Sequence, residues 1–582
     1  MNTEPQILSL LANLKLPPQD LATLAFCNSN KAETVRRWAE SLPATRIAQT
    51  SALLYQALPQ ITRLQTPADN RLQMLEHLRP YVQRCIQGLT KNFLNQPLIL
   101  PDGAMKTAVV AQALQKHMSN GYILAAKEYL LSSDKRRKES LEQLALCLHR
   151  AITGLGLQLL RSYQLYTQAP AQLWQECHAL YQLAETTQLL TQKIAEVPLT
   201  IEQVYMRILL LSCANANQLN QADIGILYQT LEEWSKLAHL SDDNNHLFSV
   251  NLRSNIPPNY TKRFTGSAPS TQKGLDLSLL LRELELLKNN QPSRLISRPS
   301  LMSQPLFNHV LRIWSQVHER NNQRRSSQGT LEVLVGLSAV HYYLSGEQPF
   351  ETFVYGRKHQ AKDSKFHIAV LRNDYDPWAK VVDTEEISKA WERKLEAEQP
   401  EQPLPPSPYP IYCVEQIDSS PGGYCLQWQD DIPPQVKAGE LLGLRETNRQ
   451  AWAIAVVRWT KQHKGTSQMG VQLLAPQAEP YAAQVLSKAG DNGEFMRALL
   501  LPEIAKIKQQ ASLLTSTRPF QAQQKINMRN RVGTAQAYLT DCIFSTNTIS
   551  QFNFRQLETP TAVVAENSGI IIPPEDFSSS WE

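Results

Sequence analysis

The feature that most constrains this chain is a change of hydrophobic period partway along it. From residue 1 to about 250, apolar side chains recur every three or four positions. Leu141, Leu144, Leu148, Ile152 and Leu155 fall on one face of a helix. Leu173, Cys177 and Leu180, with Trp174 and Tyr181, continue the stripe after Ala169–Pro170, a proline placed as at a helix start. Similar stripes occupy 72–93 and 201–213, and strand signals are scarce. Beyond residue 410 the apolar pieces become short and are punctuated by Gly, Pro and polar turns: 411–426, 439–445 (GELLGLR), 451–459 (AWAIAVVRW) and 470–474 (GVQLL). Helical stripes and strand-length pieces demand different packing layers. The expected fold class is therefore α+β and multidomain. An all-α N-terminal bundle or array of helix pairs precedes a small antiparallel β-barrel and a further small β module. A length of 582 residues agrees, being too great for one core.

The punctuation sets the expected divisions. Residues 1–250 form the helical part. Residues 251–319 connect it to the barrel: the polar stretch 250–274, with Pro257–Pro258, reads as a linker or long loop, and 275–288 and 305–319 read as helices. The barrel is expected over 320–480, its first strand within 330–344 (TLEVLVGLSAVHYYL), a run dense in β-formers. An insertion at about 345–410 interrupts it, with a strand-like 366–371 and a helix-like 384–397. It ends in 399–410, whose six prolines make a stiff, extended connector. Residues 481–557, including the strand-like 535–543 and 546–557, form the second β module or a barrel extension. The acidic tail 558–582 is expected to be loosely held.

Composition removes several function classes. No apolar run approaches the ~18 residues that span a bilayer. The N-terminus lacks the basic and small-residue regions of a secretory signal. The expectation is a cytoplasmic protein with no membrane insertion. A formal net charge of +5 is small for this length and argues against a nucleic-acid polymer as partner. It suits a small anionic ligand. The eight cysteines form no C-x-x-C pair and read as buried free thiols. H-E-x-x-H, P-loop, G-x-S-x-G and G-x-G-x-x-G patterns are absent, so no enzyme and no cofactor are expected. Cys177–His178 reads as core, and His341 as a packed histidine at a strand end. Arg458 reads as solvated or barrel-lining.

Two short patterns carry chemistry. Residues 320–325 (RNNQRR) hold R-x-x-x-R at Arg320 and Arg324, with Arg325 beside them. Residues 418–423 hold D-x-S-x-x-G at Asp418, Ser420 and Gly423, in a strand–turn–strand whose apolar incoming positions are Ile411, Cys413 and Ile417. Taken singly, the first is also a helix C-terminal cap and the second a plain Asx-type turn. Paired arginines clamp phosphates and stack on purines, and guanine O6 and N7 are a frequent arginine target. A carboxylate accepts from guanine amino and imino groups, and a glycine lets backbone approach closely.

Both patterns in this order, followed by GELLGLR, AVVRW and GVQLL, resemble the PilZ family of small β-barrels that bind cyclic di-GMP. The resemblance implies that Arg320 and Arg324 meet phosphate and guanine, with Arg325 an extra basic contact. It implies that Asp418, Ser420 and Gly423 meet guanine, and that the site holds one ligand molecule or two intercalated ones. The insertion between the two halves departs from compact members of the family. The resemblance further implies a non-enzymatic receptor that rearranges its domains on binding. It also implies an output in bacterial surface behaviour such as type IV pilus function, with the pilus machinery as the class of protein partner. The alternative reading is a ligand-independent scaffold or chaperone-like adaptor acting through the helical region.

Overall fold

The computed structural model describes residues 3–557 except 44, 97–99, 133–137, 196, 244, 264–270, 317–324, 357–406, 421, 429–431, 447–449, 464–465, 487–492 and 504–509. The strand-like 366–371, the helix-like 384–397, most of the proline-rich connector and the tail 558–582 lie outside the described residues. The N-terminal region is helical, as expected. It comprises α1 (Thr3–Ala12), α2 (Ala32–Glu40), α3 (Ile47–Arg63), α4 (Ala68–Thr90), α5 (Asp102–Leu131), α6 (Lys138–Gln164), α7 (Leu173–Thr186), α8 (Ile201–Cys213) and α9 (Gln221–Trp234). The stripe read from the sequence is buried: Leu144, Leu148, Ile152 and Leu155 on α6 face the core. Local rules set the helix ends. Thr200 and Gln203 form a reciprocal capping box at α8. One buried ion pair ties the bundle together. The fully buried Arg71 on α4 meets Glu128 of α5 at 2.7 Å and donates to the carbonyls of Ile61 and Leu64 at the end of α3.

The end of the part expected as helical and the stretch expected as a linker both contribute strands. β1 (His239–Ser241), β2 (Phe248–Asn251), β3 (Asn259–Tyr260) and β4 (Gln272–Asp276) form a four-stranded sheet in the order β1-β4-β2-β3. Phe248 and Tyr260 stack with ring centroids 5.0 Å apart and seat it on the helical core. These strands are two to five residues long, below the length at which a period-2 pattern is readable. α10 (Ser278–Lys288) and α11 (Gln304–Ser315) follow, the latter capped by Ser303.

The next strands are β5 (Arg325–Val335), β6 (Tyr412–Ser420), β7 (Gly423–Trp428), β8 (Leu441–Glu446), β9 (Ala453–His463) and β10 (Thr466–Ala475). They close into an antiparallel barrel in the order β10-β7-β6-β5-β8-β9. Between β5 and β6 lie α12 (Leu337–Leu344) and α13 (Phe350–Tyr355). The run 330–344 is therefore strand only to Val335. Gly336, at φ +89°, turns the chain, and the rest is helix. His341 is accordingly buried in a helix and not at a strand end, with Nε2 3.1 Å from the Tyr481 carbonyl. The second β module is a closed barrel of its own. β11 (Glu479–Val485), β12 (Met496–Leu501), β13 (Ser512–Ser516), β14 (Lys525–Arg529), β15 (Thr534–Ser545) and β16 (Ile549–Leu557) pair in the order β11-β12-β13-β16-β15-β14.

The packing explains why strands such as AIAVV look uniformly apolar. Ala455 and Val457 of β9 join a core continuous with the helical region, whereas Ile454 and Val456 face the second barrel. A strand covered on both faces loses its polar alternation. The cysteines are not uniformly buried: Cys413 and Cys542 are exposed and Cys27 is half-buried. Among the described residues, no helix is long and apolar enough to cross a membrane.

Candidate functional site

The two sequence patterns meet where β5 runs beside β6. In the antiparallel register, Arg325 pairs with Ser419 and Ser326 with Asp418. The start of β5 and the end of β6 therefore share one rim of the first barrel, although an insertion separates them in sequence. Only the backbone of Arg325 is described. Arg320 and Arg324 lie outside the described residues.

The rim is irregular in two places. β5 carries one extra residue between Ser326 and Gly329 relative to β6, and β6 carries one extra residue, Ile417, relative to β7. Bulges re-aim side chains and concentrate at barrel rims. They also break the alternation expected from the sequence. Val414 is the buried residue of β6, while Ile411 and Cys413 are exposed and Ile417 is half-buried.

Ser420 pairs with Gly423 across a two-residue turn, and its hydroxyl donates to the Gly423 carbonyl at 3.2 Å. Gly423 is fixed by packing. A Cβ there would lie 1.9 Å from the carbonyl oxygen of Val471 on β10. The glycine lets the hairpin tip press on the strand that closes the barrel, and Leu473 N donates to the Gly422 carbonyl at 3.0 Å. That backbone contact accounts for the glycine independently of any ligand.

Beside the hairpin is a depression of about 460 Å³ lined by Thr330, Gln416, Ser419, Ser420, Tyr424 and Glu446. Of the residues singled out in the sequence, Ser420 lines it. Asp418 is half-buried one position before Ser419, and neither it nor Gly423 is among the lining residues. Gln416, Tyr424 and Thr330 were not anticipated as site residues. Tyr424, directly after the glycines, is the one aromatic side chain of the lining and so the one ring on which a base could stack. One wall is rigid. Arg445 Nε on β8 donates to Glu332 of β5 at 2.6 Å, and its guanidinium sits 4.3 Å from the Trp452 ring centre. Among the described residues, no group of three or more His, Cys, Asp or Glu side chains is arranged to hold a metal ion.

Comparison with known proteins agrees with this architecture. Residues 33–245 match the family described as the N-terminal domain of the cyclic-di-GMP receptor FimW. Residues 247–480 match its middle PilZ domain, and 481–557 its C-terminal β-barrel domain. A curated relative, the cyclic-di-GMP receptor FimW of Pseudomonas aeruginosa, is 33% identical over 613 residues, covering 98% of this chain and 98% of its own. No solved structure matches. With the helical region, the PilZ barrel and the second barrel all matched in order, the chain belongs to the FimW family.

Proposed function

We propose that this chain is a cyclic di-GMP receptor whose ligand binds at the β5–β6 rim of the first barrel. Arg320, Arg324 and Arg325 hold the phosphates and stack on or address guanine. Asp418 and Ser420 accept from and donate to guanine edges, and Gly423 holds the hairpin tip in place. The observation that carries the reading is the strand register. Arg325 pairs with Ser419 and Ser326 with Asp418, so the strand that follows the R-x-x-x-R pattern in sequence begins beside the D-x-S hairpin. The similarity to a protein described as a cyclic-di-GMP receptor supports the same reading.

Binding draws the three arginines and the hairpin onto one ligand and changes how the barrel sits on the helical region, a hinge-type switch without catalysis. The output is an altered protein–protein surface, with pilus machinery as the partner class. Calorimetric titration of the full chain with cyclic di-GMP tests this. Saturable binding is expected, with Arg324→Ala and Asp418→Ala each weakening it at least tenfold. Unchanged affinity in both variants overturns the site assignment. No binding by the parent chain overturns the function and leaves the ligand-independent scaffold.

A further inference from the structure

A second cavity, of about 540 Å³, lies where the helical region and both barrels meet. Its walls include Asp223 at the start of α9, His309 and Arg312 on α11, Arg458 on β9, and Phe520 and Phe544 from the second barrel. Its volume falls within the roughly 300–1,000 Å³ usual for small-ligand sites.

The cavity wall carries two guanidinium groups, Arg312 and Arg458. Among the described residues, neither Arg312 nor Arg458 has a carboxylate within ion-pair distance. Among the described residues, the one carboxylate in the wall is that of Asp223, which accepts from Asn220 at 2.8 Å and from Asn547 at 2.6 Å and is buried. Arg458 is held there by a device of the backbone. Val457 pairs with Val471 and Trp459 with Gly470, so Arg458 is the extra residue of a β-bulge. Its guanidinium lies 5.4 Å from the Phe544 ring centre. Burial, then the neighbouring Arg312 charge, lowers its pKa to about 10. A half-buried arginine facing a second arginine is an unfavourable arrangement that an anion relieves. The phenylalanines supply an apolar wall beside that charge.

We propose that this cavity is a second ligand site, distinct from the hairpin rim, which takes an aromatic organic anion of nucleoside-monophosphate size. The phosphate lies between Arg312 and Arg458, and the planar ring packs on Phe544 and Phe520. The ligand touches all three parts of the chain, so its occupancy bears on how they are held together.

Exposed Cys542 is also in the lining and provides a reporter. The full chain is titrated by calorimetry with GMP, guanosine and inorganic phosphate. Iodoacetamide labelling is read by peptide mass spectrometry with and without each compound. The expected result is one GMP per chain, and slower alkylation of Cys542 but not of exposed Cys413. Arg458→Gln and Arg312→Gln should each weaken GMP at least tenfold, while Asp418→Ala leaves it unchanged. If Arg458→Gln does not fold, Arg312→Gln, on the exposed rim, and the parent-chain labelling decide. Absence of GMP heat and of Cys542 protection at millimolar concentration overturns the proposal. So does guanosine or phosphate binding as tightly as GMP, or GMP affinity unchanged in the arginine variants.

Discussion

Gly423→Ala separates two roles that a glycine beside a ligand site can have. The added Cβ would stand 1.9 Å from the Val471 carbonyl oxygen and 2.9 Å from its carbon, both backbone atoms of β10. Relief requires β7 and β10 to part by about 1 Å at the seam where Gln472 pairs with Gly423. Overpacking against backbone costs about 1–3 kcal/mol. Loss of the Leu473–Gly422 hydrogen bond adds about 1 kcal/mol, giving roughly 2–4 kcal/mol in all. The chain has several domains, so a single melting temperature would blur the effect. Hydrogen exchange by mass spectrometry resolves it, because peptides covering β10 report the seam and those of α5 and α6 serve as internal controls. Lowering the opening free energy by ~3 kcal/mol speeds exchange roughly a hundredfold. That acceleration is expected in β10 without ligand. Unchanged β10 protection, with only cyclic di-GMP affinity lost, would refute the packing argument and make the glycine a ligand contact.

Four further outcomes follow from particular contacts. Arg71→Ala leaves Glu128 and two carbonyls unpaired in the bundle and should cost about 3–5 kcal/mol, read by denaturant unfolding followed through helical circular dichroism. Asn547→Ala removes the 2.6 Å bond from the second barrel to buried Asp223 and should weaken that docking by about 1–3 kcal/mol, measured as faster proteolysis between the barrels. Burial holds His149, His178 and His341 at about 4, below their ordinary value, so the stability they contribute is present above pH 6.5 and lost as pH falls through 4. Each accounts for about 3 kcal/mol, and His341→Gln should lessen the fall of thermal stability between pH 6.5 and 4.5. Glu440 runs the other way. Burial raises it to about 7, so its stability is present below pH 4.5 and lost as pH rises through 7. Glu440→Gln should flatten the stability profile from pH 5 to 7.5.

What was legible in the sequence is what repeats. The leucine stripe of α6 spans many turns and marks a helix whatever surrounds it. Likewise the Pro-Gly-Gly turn between two apolar pieces marks a hairpin. What was not legible depends on partners far along the chain. Leu337–Leu344 reads as strand because its β-branched and aromatic residues suit a buried helix as well as a buried strand. The deciding element is Gly336, which leaves the strand at positive φ, and its N–H bonds the Leu441 carbonyl. The four short strands of 239–276 carry too few residues for a period to be counted.

The bulges show most clearly where periodic reasoning stops. Alternation puts Cys413 and Ile417 on the same face as each other, and Arg458 on the face opposite Val457. It does so on the premise that no strand carries an extra residue. β6 carries one at Ile417 and β9 one at Arg458. The first leaves the D-x-S segment out of step with the barrel interior and against the start of β5. The second coincides with an arginine in the wall of the junction cavity. A strand that kept strict alternation would bury these polar groups in the core or turn them away from the neighbouring parts. Both candidate sites therefore sit where the simple period fails, and the failure is what gives a closed, apolar barrel two polar outlets.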